Sequence, residues 1–169
     1  MSIESKKVVL LEDNQEHFDI IDAILVNSGY EKIWDFKTTK KLMADFESFK
    51  TCSPNFVDTH EENLNEKVFS VKNDNLIWII DINWTGSPKA NNADEYGLEF
   101  YRQFKIKKAI ILSVNPREKY RSIIQGLNYI SKFDENGNLF SDNFEAKLLE
   151  ALSINPPKTD SPYENKRSK

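Results

Sequence analysis

Several short apolar runs in this chain end in a side chain that handles charge or donates a hydrogen bond. Glu12 and Asp13 follow VVLL, Asp81 follows LIWII, Ser113 follows AIIL, and Lys132 follows LNYIS. Carboxylates gathered in one place repel unless a cation sits among them, and an all-oxygen set suits a compact hard ion such as Mg²⁺. An ammonium and a hydroxyl beside that ion would face an anion. They would offer a charge and a donor to the equatorial oxygens of a phosphoryl group while the metal neutralises more of its charge. The chemistry suggested is phosphoryl transfer. Taken singly, an acidic pair after a strand is a solvated turn, and a strand-end Lys or Ser is surface. Asp81 is the stronger signal alone, because a buried strand that delivers a carboxylate is a recurring way to present a nucleophile or a ligand.

These residues can meet only if the runs that carry them are neighbouring parallel strands. Lys7 to Leu11 reads as a strand buried on both faces. From Asn14 the period changes to Phe18, Ile21, Ile24 and Leu25, a helical stripe, and Gly29 supplies the left-handed residue that stops a helix. A weaker strand over Glu31 to Phe36 and a helix over Thr38 to Phe49 repeat the unit. Leu76 to Ile80 is the strongest strand, and a third helix should begin near Glu95 to Gly97. Ala109 to Leu112, a helix over Arg117 to Gln125, a strand over Leu127 to Ser131 and a helix over Asp142 to Leu152 complete the series, with Asp142 and Glu145 spaced as a capping box. Five strands alternating with five helices imply a three-layer α/β sandwich with a mostly parallel sheet, whose functional groups gather at the carboxyl ends of the strands.

The segment from Thr51 to Asn75 is polar and reads as an elaborated loop with at most a short strand or helix. A second turn-rich insertion covers about residues 84–95. After Ile154 the composition shifts to proline-rich and polar, which reads as a disordered tail over 155–169, too short for a DNA-binding module. One domain over 1–154 is therefore expected.

Composition excludes several classes. The chain has 169 residues, 39% of them hydrophobic and only five Gly, enough apolar material for a packed core. Lys+Arg of 23 against Asp+Glu of 27 leaves a net charge of −4, with no basic stripe for phosphate neutralisation, so nucleic acid is not an expected partner. No apolar run approaches a membrane span or a signal peptide, and one cysteine, Cys52, cannot form an internal disulfide. Two scattered histidines, His17 and His60, do not build a zinc site with it. A cytoplasmic, zinc-free protein is expected.

With these residues in order, the chain resembles the receiver domain of two-component response regulators over about residues 7–152. KKVVLLEDNQEHF is similar to that family's first strand and acidic pair, LIWIIDIN to its phosphoacceptor strand, and YGLEFYRQF to the start of its third helix. AIILSVN is similar to its Ser/Thr strand, and LNYISKF to its lysine strand. The resemblance implies a flavodoxin-like (CheY-like) doubly wound sheet of five parallel strands in the order 2-1-3-4-5. It implies that Asp81 is the phosphoacceptor, that Glu12 and Asp13 hold Mg²⁺ directly or through water, and that the Asn83 backbone carbonyl completes that shell. Ser113 and Lys132 would contact the phosphoryl group, and Tyr129 would be the aromatic whose rotation accompanies movement of Ser113; packing in the core is the plain alternative for Tyr129. The implied partners are a sensor histidine kinase or phosphotransfer protein upstream and a protein downstream. Homodimerisation through the fourth helix, fifth strand and fifth helix is one assembly the resemblance allows. Catalysis would be limited to self-phosphorylation and autodephosphorylation.

The chain also departs from the family. The loop from Asp81 to Gly97 is long, Val114 replaces a small residue after Ser113, and Phe133 stands where the family has proline and a cis peptide. Two other readings follow. One is a receiver-shaped binding module that works without phosphorylation. The other is a haloacid-dehalogenase-like phosphatase, suggested by IIDINWT, but Asn83 removes that family's general acid and Glu12-Asp13 has no place in it.

Overall fold

The apolar runs become the strands of a single sheet. The computed structural model describes residues 6–48, 76–84, 95–114 and 127–154. In chain order these form β1 (Lys6–Leu11), α1 (Gln15–Asn27), β2 (Tyr30–Lys32), α2 (Phe36–Ser48), β3 (Ile77–Asp81), α3 (Tyr96–Gln103), β4 (Ala109–Ser113), β5 (Asn128–Ser131) and α4 (Asp142–Ile154). The strands are all parallel and ordered β2-β1-β3-β4-β5, a flavodoxin-like α/β fold. In β3 and β4 every residue is buried, as expected for central strands covered on both faces.

Alternation along the strands divides the interior in two. Val8, Leu10, Ile77, Ile79, Ile110 and Leu112 pack with Phe18, Ile21 and Leu25 of α1 and with Phe144 and Leu148 of α4. Val9, Leu11, Trp78, Ile80 and Ile111 face the other way, against Leu42, Met43 and Phe46 of α2 and Leu98 and Phe100 of α3. Phe46 centres an aromatic cluster on this side, with ring centroids 5.3 Å from Phe100 and 5.6 Å from Trp84. Edge-to-face packing of this kind adds about 0.5–1.5 kcal/mol per pair beyond burial. Thr39, fully buried in α2, donates its hydroxyl to the Leu10 carbonyl at 3.0 Å and ties that helix to β1.

Several elements shift by one or two residues from expectation, and the contacts explain a shorter second strand and a different cap on the last helix. The second strand spans only Tyr30–Lys32, because the chain then turns: the Asp35 carboxylate accepts the Thr38 N–H at 2.8 Å and starts α2 at Phe36. Burial of Trp34 in the core, not strand pairing, explains the apolar look of that stretch. At the last helix the capping residue is Ser141, one position earlier than expected. Its carbonyl accepts the Phe144 N–H at 2.9 Å, leaving Asp142 and Glu145 in the first turn, where they complement the helix dipole. Gly29 does adopt φ +81° after α1. All described peptides are trans, including the one before Phe133. The expected helix over 117–125, the bulk of both insertions and the tail over 155–169 lie outside the described residues. Among the described residues no helix is long and apolar enough to cross a membrane.

Candidate functional site

The strand order reverses between β1 and β3, since the chain leaves β1 for β2 on one side and returns to β3 on the other. The carboxyl ends of those two strands therefore flank the crevice where open α/β sheets place their sites. Glu12 and Asp13 come directly off β1, and Asp81 is the last residue of β3. One carboxylate oxygen from each lies within 4.8 Å of the others. Glu12 and Asp81 are 1% and 3% exposed, and Asp13 is half-buried.

Lys132 reaches this cluster from β5. That strand lies two places from β3, about 9–10 Å across the sheet, a distance only a long side chain bridges. Its Nζ, 1% exposed as a residue, lies 2.6 Å from Glu12 Oε2 and 3.1 Å from Asp81 Oδ1. The strand ends are held in register beyond the sheet proper. Lys132 N–H donates to the Ser113 carbonyl at 2.8 Å, and Ile82 N–H to that of Leu112 at 2.9 Å.

The electrostatics follow from burial. Desolvation first, and the neighbouring Glu12 second, push the Asp81 carboxyl well above its ordinary range, although Lys132 pulls the other way. Burial likewise raises Glu12. For Lys132, burial alone would depress the ammonium, but Asp81 and Glu12 together outweigh it and its pKa rises. With all three carboxylates ionised, the single ammonium would leave an excess of two negative charges, which a divalent cation would balance.

The donor set is consistent with such an ion. All three candidate ligands are hard oxygens, and Asp81 Oδ1 is buried without an aligned hydrogen bond, its contact with Lys132 being ionic. Both Glu12 oxygens are already engaged, Oε2 by Lys132 and Oε1 by the Asn14 N–H at 3.1 Å. Asp81 Oδ1 is thus better placed than Glu12 to ligate an ion directly.

Ser113 is fully buried, and its hydroxyl donates to the Asn83 side-chain oxygen at 2.7 Å. Tyr129, on β5, is half-buried against the core that α2 and α3 cover. Three further residues shape the site and were not singled out by their spacing. Trp84 donates its indole N–H to the Asp81 carbonyl at 2.6 Å. Gly97 donates its N–H to the Ile82 carbonyl at 3.1 Å and lets α3 touch β3. A Cβ there would overlap the Asp81 carbonyl oxygen and stand 2.9 Å from Ile82 Cα. His17, in the first turn of α1, presents Nδ1 3.3 Å from Lys132 Nζ. Its position at the start of the helix that follows the acidic pair was the available signal.

No family model matches the chain, and no curated protein matches it. Among solved structures, one described as a yeast Spc42 trimeric coiled coil fused to another structure is 14% identical to this chain. The match covers 91% of this chain and 77% of that one, with a TM-score of 0.50. That likeness is one of fold alone.

Proposed function

We propose that the chain is a response-regulator receiver: Asp81 accepts a phosphoryl group in a Mg²⁺-dependent reaction and the altered domain signals through its protein contacts. The observation that carries this reading is the convergence of buried Glu12, Asp81 and Lys132 from β1, β3 and β5 at the switch point of the sheet. In the reaction, an oxygen of the ionised Asp81 carboxylate attacks the phosphorus of a phosphodonor. The bond from phosphorus to the donor's leaving atom breaks, its electron pair goes to that atom, and an aspartyl phosphate results. Attack of water on phosphorus later restores the carboxylate and releases inorganic phosphate. Mg²⁺ held by Asp13, Asp81 and the Asn83 backbone carbonyl, with Glu12 through water, would neutralise charge on the transferring group. Lys132, now in contact with Asp81, would donate to a phosphoryl oxygen, and Ser113 to a second once it leaves Asn83, with Tyr129 moving in step.

The donor would be a sensor histidine kinase or phosphotransfer protein, and the reader a downstream protein, with a homodimer through β5 and its flanking helices as one output. A second reading, a binding module that is never phosphorylated, draws support from the Ser113 hydroxyl being committed to Asn83. Intact mass after incubation with acetyl phosphate and Mg²⁺ separates the two. A phosphoryl adduct on the wild type that is lost in Asp81→Asn and with chelator supports the receiver. A folded, Mg²⁺-binding wild type that forms no adduct refutes it.

A further inference from the structure

His17 is not used by the phosphoacceptor reading, yet it touches the group on which that reading depends. Asn14 caps α1 by accepting the His17 N–H at 3.1 Å, which turns the first helical turn toward the end of β1. The imidazole then lies between two neighbours. Its ring packs edge-on against Phe140, centroids 5.0 Å apart, and Phe140 in turn donates its N–H to the Lys132 carbonyl at 2.8 Å. On the other side Nδ1 is 3.3 Å from Lys132 Nζ.

Lys132 sits between two carboxylates and is an ammonium with three N–H donors and no acceptor. Glu12 Oε2 accepts one of these hydrogens at 2.6 Å, Asp81 Oδ1 is in ionic contact at 3.1 Å, and His17 Nδ1 lies 3.3 Å from the ammonium. For Lys132 to donate to His17, Nδ1 must be the unprotonated nitrogen with the ring proton on Nε2; Glu12 Oε1, 4.0 Å from Nδ1, is the competing partner for a proton there. Of the three neighbours the imidazole is the most distant.

We infer that His17 is a positioning residue for Lys132, one that accepts an ammonium hydrogen left over from Glu12 and restrains the lysine head from swinging onto a phosphoryl group at Asp81. This rests on Asp81 being the phosphoacceptor. A phosphoryl oxygen, being charged, displaces the imidazole as acceptor, so His17 favours the unphosphorylated arrangement and slows entry into the other.

The test measures the rate of adduct formation from acetyl phosphate and Mg²⁺ by intact mass, on the full chain. His17→Phe keeps a ring against Phe140 but offers no acceptor, and it should react about fivefold faster than wild type. His17→Gln restores an acceptor and should bring the rate back toward wild type, with melting midpoints of both variants close to that of the parent. In the metal-free protein, ¹⁵N spectra should show the His17 proton on Nε2. If the wild type forms the adduct but His17→Phe leaves the rate unchanged, or if both variants slow the reaction alike and melt early, the imidazole is a packing wedge and the inference fails alone. A proton on Nδ1 also overturns it. A wild type that forms no adduct takes the phosphoacceptor reading down first.

Discussion

Asp81→Asn tests whether the carboxylate cluster stores repulsion, as its geometry implies. Asp81 Oδ1 gains from Lys132 Nζ at 3.1 Å, which at an effective dielectric of 20 is worth about 5 kcal/mol. Oxygens of Glu12 and Asp13 lie no more than 4.8 Å away within the cluster, and each repels the carboxylate by about 3.5 kcal/mol or more on the same scale. Repulsion therefore leads by about 1–2 kcal/mol. Screening of the half-exposed Asp13 reduces that margin, and the cost of burying an ionised Asp81 enlarges it.

A neutral isostere removes the burial cost and the repulsion, so Asp81→Asn should be more stable than wild type by about 1–3 kcal/mol at neutral pH without metal. The gap depends on pH with a defined sign. A carboxyl whose folded pKa is raised above its ordinary 3.8 supports the fold when protonated, and that support is lost as pH rises through the raised value. Variant and wild type should thus converge at acid pH and diverge toward neutrality. Urea unfolding in chelator, followed by fluorescence from the buried Trp78 and Trp84, should show a higher midpoint for the variant at unchanged slope. Saturating Mg²⁺ should narrow or reverse the difference, because only the native site binds it. A variant less stable than wild type in chelator at pH 7 would mean that the Lys132 ion pair dominates and that the cluster has no need of a cation.

Two other substitutions report on how the site is held. Lys132→Met leaves Glu12 and Asp81 buried without their ammonium and should cost about 3–5 kcal/mol in chelator, a loss partly recovered with Mg²⁺ in thermal melts. Gly97→Ala drives a methyl into the Asp81 carbonyl and Ile82 Cα. Because backbone must yield, destabilisation of about 3 kcal/mol should accompany slower adduct formation, read by melting and intact mass, whereas an unchanged melt would show that α3 has room to move.

The sheet was legible because β1, β3 and β4 are runs of Val, Ile and Leu that sit buried on both faces, and because α1 and its Gly29 stop follow local rules. Glu12, Asp13, Asp81 and Lys132 could be picked out because each ends such a run, and parallel strands put those ends side by side. The errors arose where tertiary packing overrode pattern. Trp34 looks like strand because it is apolar, yet it fills the core from a turn. Ser141 starts its helix through its carbonyl, which accepts the Phe144 N–H, a contact that spacing from Asp142 to Glu145 does not reveal. Weighing His17 only as a zinc ligand missed its contact with Lys132, which exists only once β5 lies beside β4. Gly97 and Trp84 matter through contact with the Asp81 backbone, which no periodicity encodes.

The Lys132–Glu12 pair joins residues 120 positions apart in the chain, and its lysine follows a strand of four residues that, among the described residues, pairs only with β4 and lies at the sheet edge. Contacts of that sequence separation close a long loop, at a corresponding cost in chain entropy. The acidic pocket is accordingly complete only once β5 has docked on β4. It is also the first to be dismantled when the β5 edge opens, so hydrogen exchange at Asn128 to Ser131 and the integrity of the Asp81 environment should rise and fall as one cooperative unit.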